Sequence, residues 1–322
     1  MAGIPLVEAS MLAGIVEAVL YGFYTCIFCV TIYVQVTTAK TTSSHGKIMF
    51  FIGTVMFFLA TLHLAINLYR TVEGYVGHSA TKGGPIAFLG PLKNWHQVLK
   101  DIVYVTISIL GDAVAVYRCW IIWNRNHILM VVPFLLLIAS AVSGYIVVAL
   151  LYHTQPTSIF NPNLVGWICS FYAVAIVQNT LTTGLMMYRL WATAKSAANY
   201  RVGRGHFIPI MRILMESAVL YLVFEVVILA VYVSNSNAQS IIHDSIPPII
   251  GMTFSLITIR IAMRSRQDYR STLVNSGTGA STDPNRTIGS IPMRRVVHID
   301  KEQIDDRSLG NDNDKEYKRN VV

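Results

Sequence analysis

Charged side chains are scarce in this chain: they make up 13% of its 322 residues, about half the share usual in a soluble domain, while 53% are hydrophobic. A water-soluble fold has too little polar surface to cover so much apolar side chain, so an ordinary soluble domain is excluded. Cysteine is sparse as well. Of the four, Cys26 and Cys29 sit in the middle of one apolar run and Cys119 near the inner end of another, leaving only Cys169 near an outer boundary, which excludes an external disulfide framework. The nine histidines form no His-x-x-x-His or His-Glu-x-x-His pair, and neither a Gly-x-Ser-x-Gly elbow nor a Gly-x-x-x-x-Gly-Lys loop occurs. The expectation is therefore no enzyme, no metal and no cofactor. Stacked-aromatic and Gly-rich nucleic-acid motifs are missing too, so the net charge of +8 is assigned to anionic lipid headgroups and not to nucleic acid.

What the chain has in quantity is long apolar runs. From Arg264 onward there are nine acids and eleven bases, which leaves eight acids and fourteen bases for everything before it. Seven stretches near twenty apolar residues follow, at roughly 11–36, 48–69, 102–123, 128–152, 165–190, 211–233 and 246–263. They predict an all-α membrane protein, a seven-transmembrane helix bundle over 1–263 with a largely disordered cytoplasmic tail over 264–322. The first run, long for a signal peptide and preceded by MAGIPLVEAS with no basic residue, is expected to be a retained first span and not a cleaved signal peptide. Pro247 and Pro248 fit the first turn of the seventh span, which otherwise starts earlier, at Ile241, and kinks at the prolines. The one glycosylation sequon, Asn285-Arg286-Thr287, falls in the tail and is expected to be silent; the tail's start is expected to continue as a short helix along the inner leaflet.

Orientation follows from the basic residues, which gather on the cytoplasmic side. Thirteen lie in or beside loops 1–2, 3–4 and 5–6 and at the exit of the last span, against four, Arg70, Lys82, Lys93 and Lys100, on the other side. The N-terminus is thus expected outside and the C-terminus inside, with the plasma membrane as location. The five tryptophans agree, Trp95 and Trp167 at the outer boundary and Trp120, Trp123 and Trp191 at the inner one.

Four acids fall inside spans, where a charge is costly unless it faces protein or water: Glu17, Asp112, Glu216 and Glu225, with His63 as a polar companion. Helical spacing puts Asp101, Val105, Ser108, Asp112, Ala115 and Cys119 on one line of the third span, and Gly53, Met56, Ala60, His63 and Asn67 on one line of the second. Each charge falls on the most polar or aromatic line of its helix. Counted depths bring Glu17, Tyr21, His63, Asn67, Asp112, Glu225 and Tyr232 into the outer half of the bundle, where they are expected to wall a cavity for a cationic or hydrogen-bond-donating small molecule. The same groups serve equally well as hydrogen-bonding glue between helices. At the inner side Arg118 and Glu216 share a depth, so with Tyr117 they are candidate switch residues, although Arg212 stands one turn from Glu216 as a local partner.

The segment Gly111–Trp123 reads GDAVAVYRCWIIW. In its acid, its Tyr-Arg-Cys-aromatic run and its terminal Trp it resembles a large, functionally uncharacterised group of seven-span membrane proteins of mushroom-forming (basidiomycete) fungi, G-protein-coupled-receptor-like in topology. The resemblance implies a receptor architecture, with a heterotrimeric G protein as candidate partner, and no settled activity. Tyr117-Arg118 stands where rhodopsin-like receptors carry the Arg-containing motif of their third span. This chain departs from them in having no Cys at the outer end of that span, no Asn-Pro-x-x-Tyr in the seventh and no Trp-x-Pro in the sixth. Sensing of an unknown small-molecule ligand from outside, with signalling through cytoplasmic loops, is the expected function. A proton-coupled secondary transporter and a non-signalling scaffold are the alternatives; a retinal pump is disfavoured because no Lys lies between Ile246 and Ile259.

The thirteen-to-four bias makes one outcome checkable. A glycosylation site engineered beside Ala2 should acquire glycan when the protein is made on microsomes, and one engineered in the tail should not; glycan on the tail alone would reverse the orientation.

Overall fold

The computed structural model describes residues 5–37, 44–78, 84–91, 94–154, 162–198, 207–234 and 236–277. Regular structure among them is entirely helical: α1 Leu6–Thr37, α2 Ser44–Val72 running into a π-helical turn Glu73–Gly77, a short α3 Gly84–Leu89, α4 Trp95–Ile122, α5 His127–Thr154, α6 Pro162–Ala198, α7 Phe207–Val233 and α8 Gln239–Gly277. Among the described residues six stretches are long and apolar enough to cross a membrane: Val7–Thr37, Gly46–Gly77, Trp95–Ile122, His127–His153, Leu164–Thr193 and Gln239–Arg260. In α7 the apolar stretch is Tyr221–Val233. The protein is thus an all-α, multi-pass membrane protein. All but the last two residues of α8 belong to the unit Met1–Asn275; of the expected tail over 264–322, residues 264–277 are helical as the continuation of α8, and the rest, with the sequon Asn285-Arg286-Thr287, lies outside the described residues.

Local chemistry accounts for several helix ends. Pro162 opens α6, where its missing N–H has no helical partner to lose. At the end of α4 the Asn124 N–H bonds the Ile121 carbonyl at 3.1 Å and the Arg125 N–H bonds the Trp120 carbonyl at 2.9 Å, the paired pattern of a Schellman turn. Asn124 takes the left-handed conformation at φ 52°, a position asparagine tolerates better than most residues. That turn reverses the chain in a few residues, so α4 and α5 pack as neighbours. The seventh apolar stretch begins earlier than its prolines: α8 starts at Gln239, and Pro247 and Pro248 stand inside it. Each removes the N–H that would bond the carbonyl four residues back, those of His243 and Asp244.

Helix α8 is the most enclosed of the membrane-length helices. Helix α4 contacts α2, α5 and α6, while α1 packs on α2 and α7 on α6. In α8 every residue from Asp244 to Gly251 is buried. Its membrane-length stretch is 67% buried against 22–39% for the other five, and it is also the least hydrophobic of them. The two facts belong together, since the helix with least lipid contact carries the most polar side chains. Outward faces are apolar, with Phe51, Phe58, Val76 and Ile128 among the exposed side chains. The helical lines read from the sequence are inward: Gly53, Met56, Ala60, His63 and Asn67 are all buried, as are Asp101, Val105, Ser108, Asp112 and Cys119, with Ala115 half-buried.

Close approach of α8 to its neighbours needs glycine. A Cβ at Gly251 would lie 2.6 Å from Cε1 of Tyr24 on α1, a ring that is itself fully buried. Gly251→Ala is therefore expected to destabilise the protein by about 1–3 kcal/mol through overpacking. Gly22→Ala, at a position with nothing within 4 Å, should stay within about 1 kcal/mol of wild type or gain from helix propensity. Unfolding in mixed detergent micelles reads both; equal effects would refute the packing argument.

Candidate functional site: a polar cavity at one end of the bundle

Three helix ends meet where α1 begins, and each presents polar side chains at helical spacing. The start of α4 offers Gln97, Lys100, Asp101 and Tyr104 at steps of three, four and seven; the start of α8 offers Ser240, His243 and Asp244; the end of α2 offers His63, Asn67, Arg70 and Thr71. These residues, His63 excepted, border a cavity of ≈ 380 Å³ whose far wall is apolar, formed by Val148 and Leu151 of α5 and Ile168, Phe171 and Tyr172 of α6. That volume lies within the range of small-molecule sites.

A chain of polar contacts runs beside it through four helices. Lys100 Nζ donates to Asp244 Oδ1 at 2.8 Å and to Oδ2 at 3.0 Å, both side chains being buried. The Asn67 amide nitrogen donates to Asp244 Oδ2 at 3.0 Å and to Glu17 Oε2 at 2.5 Å, so its two hydrogens serve one carboxylate each. Glu17 Oε1 lies 2.6 Å from His63 Nδ1. His243 stacks on Tyr104, with ring centroids 3.8 Å apart, and its Nδ1 lies 3.1 Å from Asp244 Oδ1. Gln97 Nε2 donates to both oxygens of Asp101 at 2.9 Å. The carboxylates here are well supplied with donors, as burial requires.

A second network lies deeper. Asn179 Nδ2 donates to Asp112 Oδ1 at 3.0 Å and to Glu225 Oε1 and Oε2 at 2.9 and 3.0 Å, joining α4, α6 and α7. Asp112 is eight residues past Tyr104, ~12 Å further along the helix axis. Its Oδ2 is buried with no partner.

The seven residues read from the sequence as one cavity wall are thus shared among four settings. Asn67 and Tyr232 border the cavity. Glu17 and His63 are joined to it through Asn67, and Asp112 and Glu225 meet each other at Asn179. Tyr21 pairs its hydroxyl with Thr61 at 2.6 Å. Among the switch candidates, Arg118 carries its guanidinium 5.0 Å from the ring centre of Phe254 on α8, and Tyr117 makes a tilted ring contact with Trp120. The side chain of Glu216 lies outside the described ones. Four residues central to the geometry were not singled out: Lys100, Arg70, Asp244 and Asn179. The first two count as loop bases in a hydropathy reading, and Asp244 is drawn into a span only by the earlier start of α8. Asn179 was legible as one of two adjacent amides, Gln178 and Asn179, in an apolar run.

Among the described residues no group of three or more His, Cys, Asp or Glu side chains is arranged to hold a metal ion. No protein-family model matches the chain, and no curated protein or solved structure does either.

Removing one member of a buried ion pair strands the other, at a cost of about 3–5 kcal/mol. Lys100→Met and Asp244→Asn should each destabilise by about that amount, and the double variant by clearly less than the sum. Detergent unfolding titrations measure the three; strict additivity would show that the pair is not coupled.

Proposed function

We propose that the protein is a receptor-like, seven-span protein of the plasma membrane that takes a small molecule from the outer side and signals through its cytoplasmic loops. The observation that carries the proposal is the cavity, which lies at the end of the bundle where α1 begins and is bordered by a polar chain tying α2, α4 and α8 together. A ligand with unequal affinity for two arrangements of those helices shifts their balance. Helices α4 and α8 meet again further along, where Arg118 lies over Phe254. The seventh span in this reading is α7, whose 27 residues extend ~40 Å at 1.5 Å each, more than the hydrocarbon thickness. The basic bias of the loops supports an external N-terminus. The Gly111–Trp123 segment supports kinship with the fungal seven-span group and a heterotrimeric G protein as partner.

Proton-coupled transport is the second reading, favoured by the two carboxylates of Asp112 and Glu225 gathered on one amide within the bundle. Purified protein in lipid nanodiscs should retain a fungal Gα subunit and raise its nucleotide exchange, and Arg118→Ala should weaken both effects. Absence of any Gα response, together with solute uptake into vesicles driven by an imposed proton gradient, would replace the receptor with the transporter.

A further inference from the structure

Charged groups around the cavity are unequally satisfied. Asp244 accepts from Lys100, Asn67 and His243, Asp101 accepts twice from Gln97, and the Lys100 ammonium is held by Asp244. Arg70 is the exception. Only 7% exposed, it borders the cavity, its Nε has no hydrogen-bond partner, and among the described residues no ion pair reaches its guanidinium. A guanidinium has five N–H donors and no acceptor, so whatever completes it must accept. The partner that matches its planar fork is a carboxylate, which takes two parallel hydrogen bonds.

We infer that the cavity binds a small organic carboxylate, its head on the Arg70 guanidinium and its apolar body against Val148, Leu151, Ile168 and Phe171. This rests on the reading of the cavity as a ligand site and names the chemistry it selects. The head group follows from charge: Arg70, Lys100, Asp101 and Asp244 sum to zero formally, and among the described residues Arg70 is the one of the four that no hydrogen bond or close ion pair engages, Asp244 and Asp101 acting on it only from a distance, so an anion meets a cation with donors to spare. An ammonium would meet carboxylates whose oxygens already accept from Lys100, Asn67, His243 and Gln97, and would stand beside two cations. The apolar body follows from the wall opposite, which a bare anion would leave in contact with water. The sequence-based expectation of a cationic or hydrogen-bond-donating ligand came from assigning Glu17, Asp112 and Glu225 to this space; Glu17 instead meets Asn67 and His63, while Asp112 and Glu225 meet at Asn179.

Three probes share one skeleton and differ in head group: 4-phenylbutyrate, 4-phenylbutanol and 4-phenylbutylamine. Their dissociation constants for the purified full-length protein in nanodiscs, corrected for partition into protein-free nanodiscs, decide the matter. The acid should bind at least about tenfold tighter than the alcohol, and the amine weakest of the three. Arg70→Gln should abolish the acid's advantage while leaving the alcohol within about twofold, and Arg70→Lys should restore part of it. Equal binding of acid and alcohol, a preference for the amine, or an acid preference that survives in folded Arg70→Gln would each overturn the carboxylate assignment and leave the ligand cavity standing. Binding of none of the three would overturn both. The ranking in the unaltered protein is decisive by itself, so the assignment stays falsifiable even when the variant does not fold.

Discussion

The contact on which most of the polar interior depends is the ion pair between Lys100 and Asp244. Both charges are buried, near the starts of two helices, with nitrogen and oxygen 2.8 Å apart. Taking either out of water alone would cost several kcal/mol, so each is tolerable only because the other is in place. Their union draws the start of α8 against the start of α4. Once Asp244 is there, Asn67 can divide its two hydrogens between Asp244 and Glu17, and Glu17 in turn engages His63. One pair therefore organises contacts among α1, α2, α4 and α8.

The distribution of polarity follows from the same constraint. A helix facing lipid must be apolar outside and can be polar only where protein surrounds it. Helices α1, α2 and α5 fit that rule with apolar exposed faces and single inward lines. Helix α8 fits it differently: surrounded by other helices over Asp244–Gly251, it has little lipid contact and carries acid, hydroxyl and tandem prolines. Glycines at its contacts complete the arrangement, since Gly251 lies against Tyr24, and Gly53 and Gly111 make room for Phe254 and Ile250. Dispersion and shape hold helices together in a bilayer, where lipid tails are as apolar as the side chains.

The opposite end of the bundle is built from aromatic rings and bases. Arg125 lies over Trp120 and Arg189 over Trp123, with Cζ to ring-centre distances of 5.5 and 5.3 Å, and the Trp123 indole N–H donates to the Leu185 carbonyl. These contacts tie the turn after α4 to α6. A change in how α4 and α8 meet at the cavity end would reach this region through two helices that are in contact at both places, by Lys100–Asp244 and by Arg118–Phe254. Coupling of that kind needs two discrete arrangements of the helices, each favoured by different contacts.

Helix existence, approximate length and inward lines were determined by the sequence itself, because bilayer thickness sets the length of an apolar run and the 3.6-residue turn sets its faces. His63, Asn67, Asp112 and Glu225 were marked as inward for that reason, and all are buried. Which acid meets which donor was decided only by the tertiary structure. Helical spacing places a side chain on a line but leaves open the rotation and offset of one helix against another, and hydrogen bonds form over 3 Å while depth counted in residues is uncertain by a turn or more. Thus Asp112 and Glu225 find Asn179, Glu17 finds Asn67 and His63, and the cavity gathers Arg70, Lys100 and Asp244. Hydropathy leaves Arg70 and Lys100 just outside their spans, and takes Asp244 in only with a start at Ile241, because a charge at the end of an apolar run reads as its boundary; only the neighbouring helices reveal that it is enclosed.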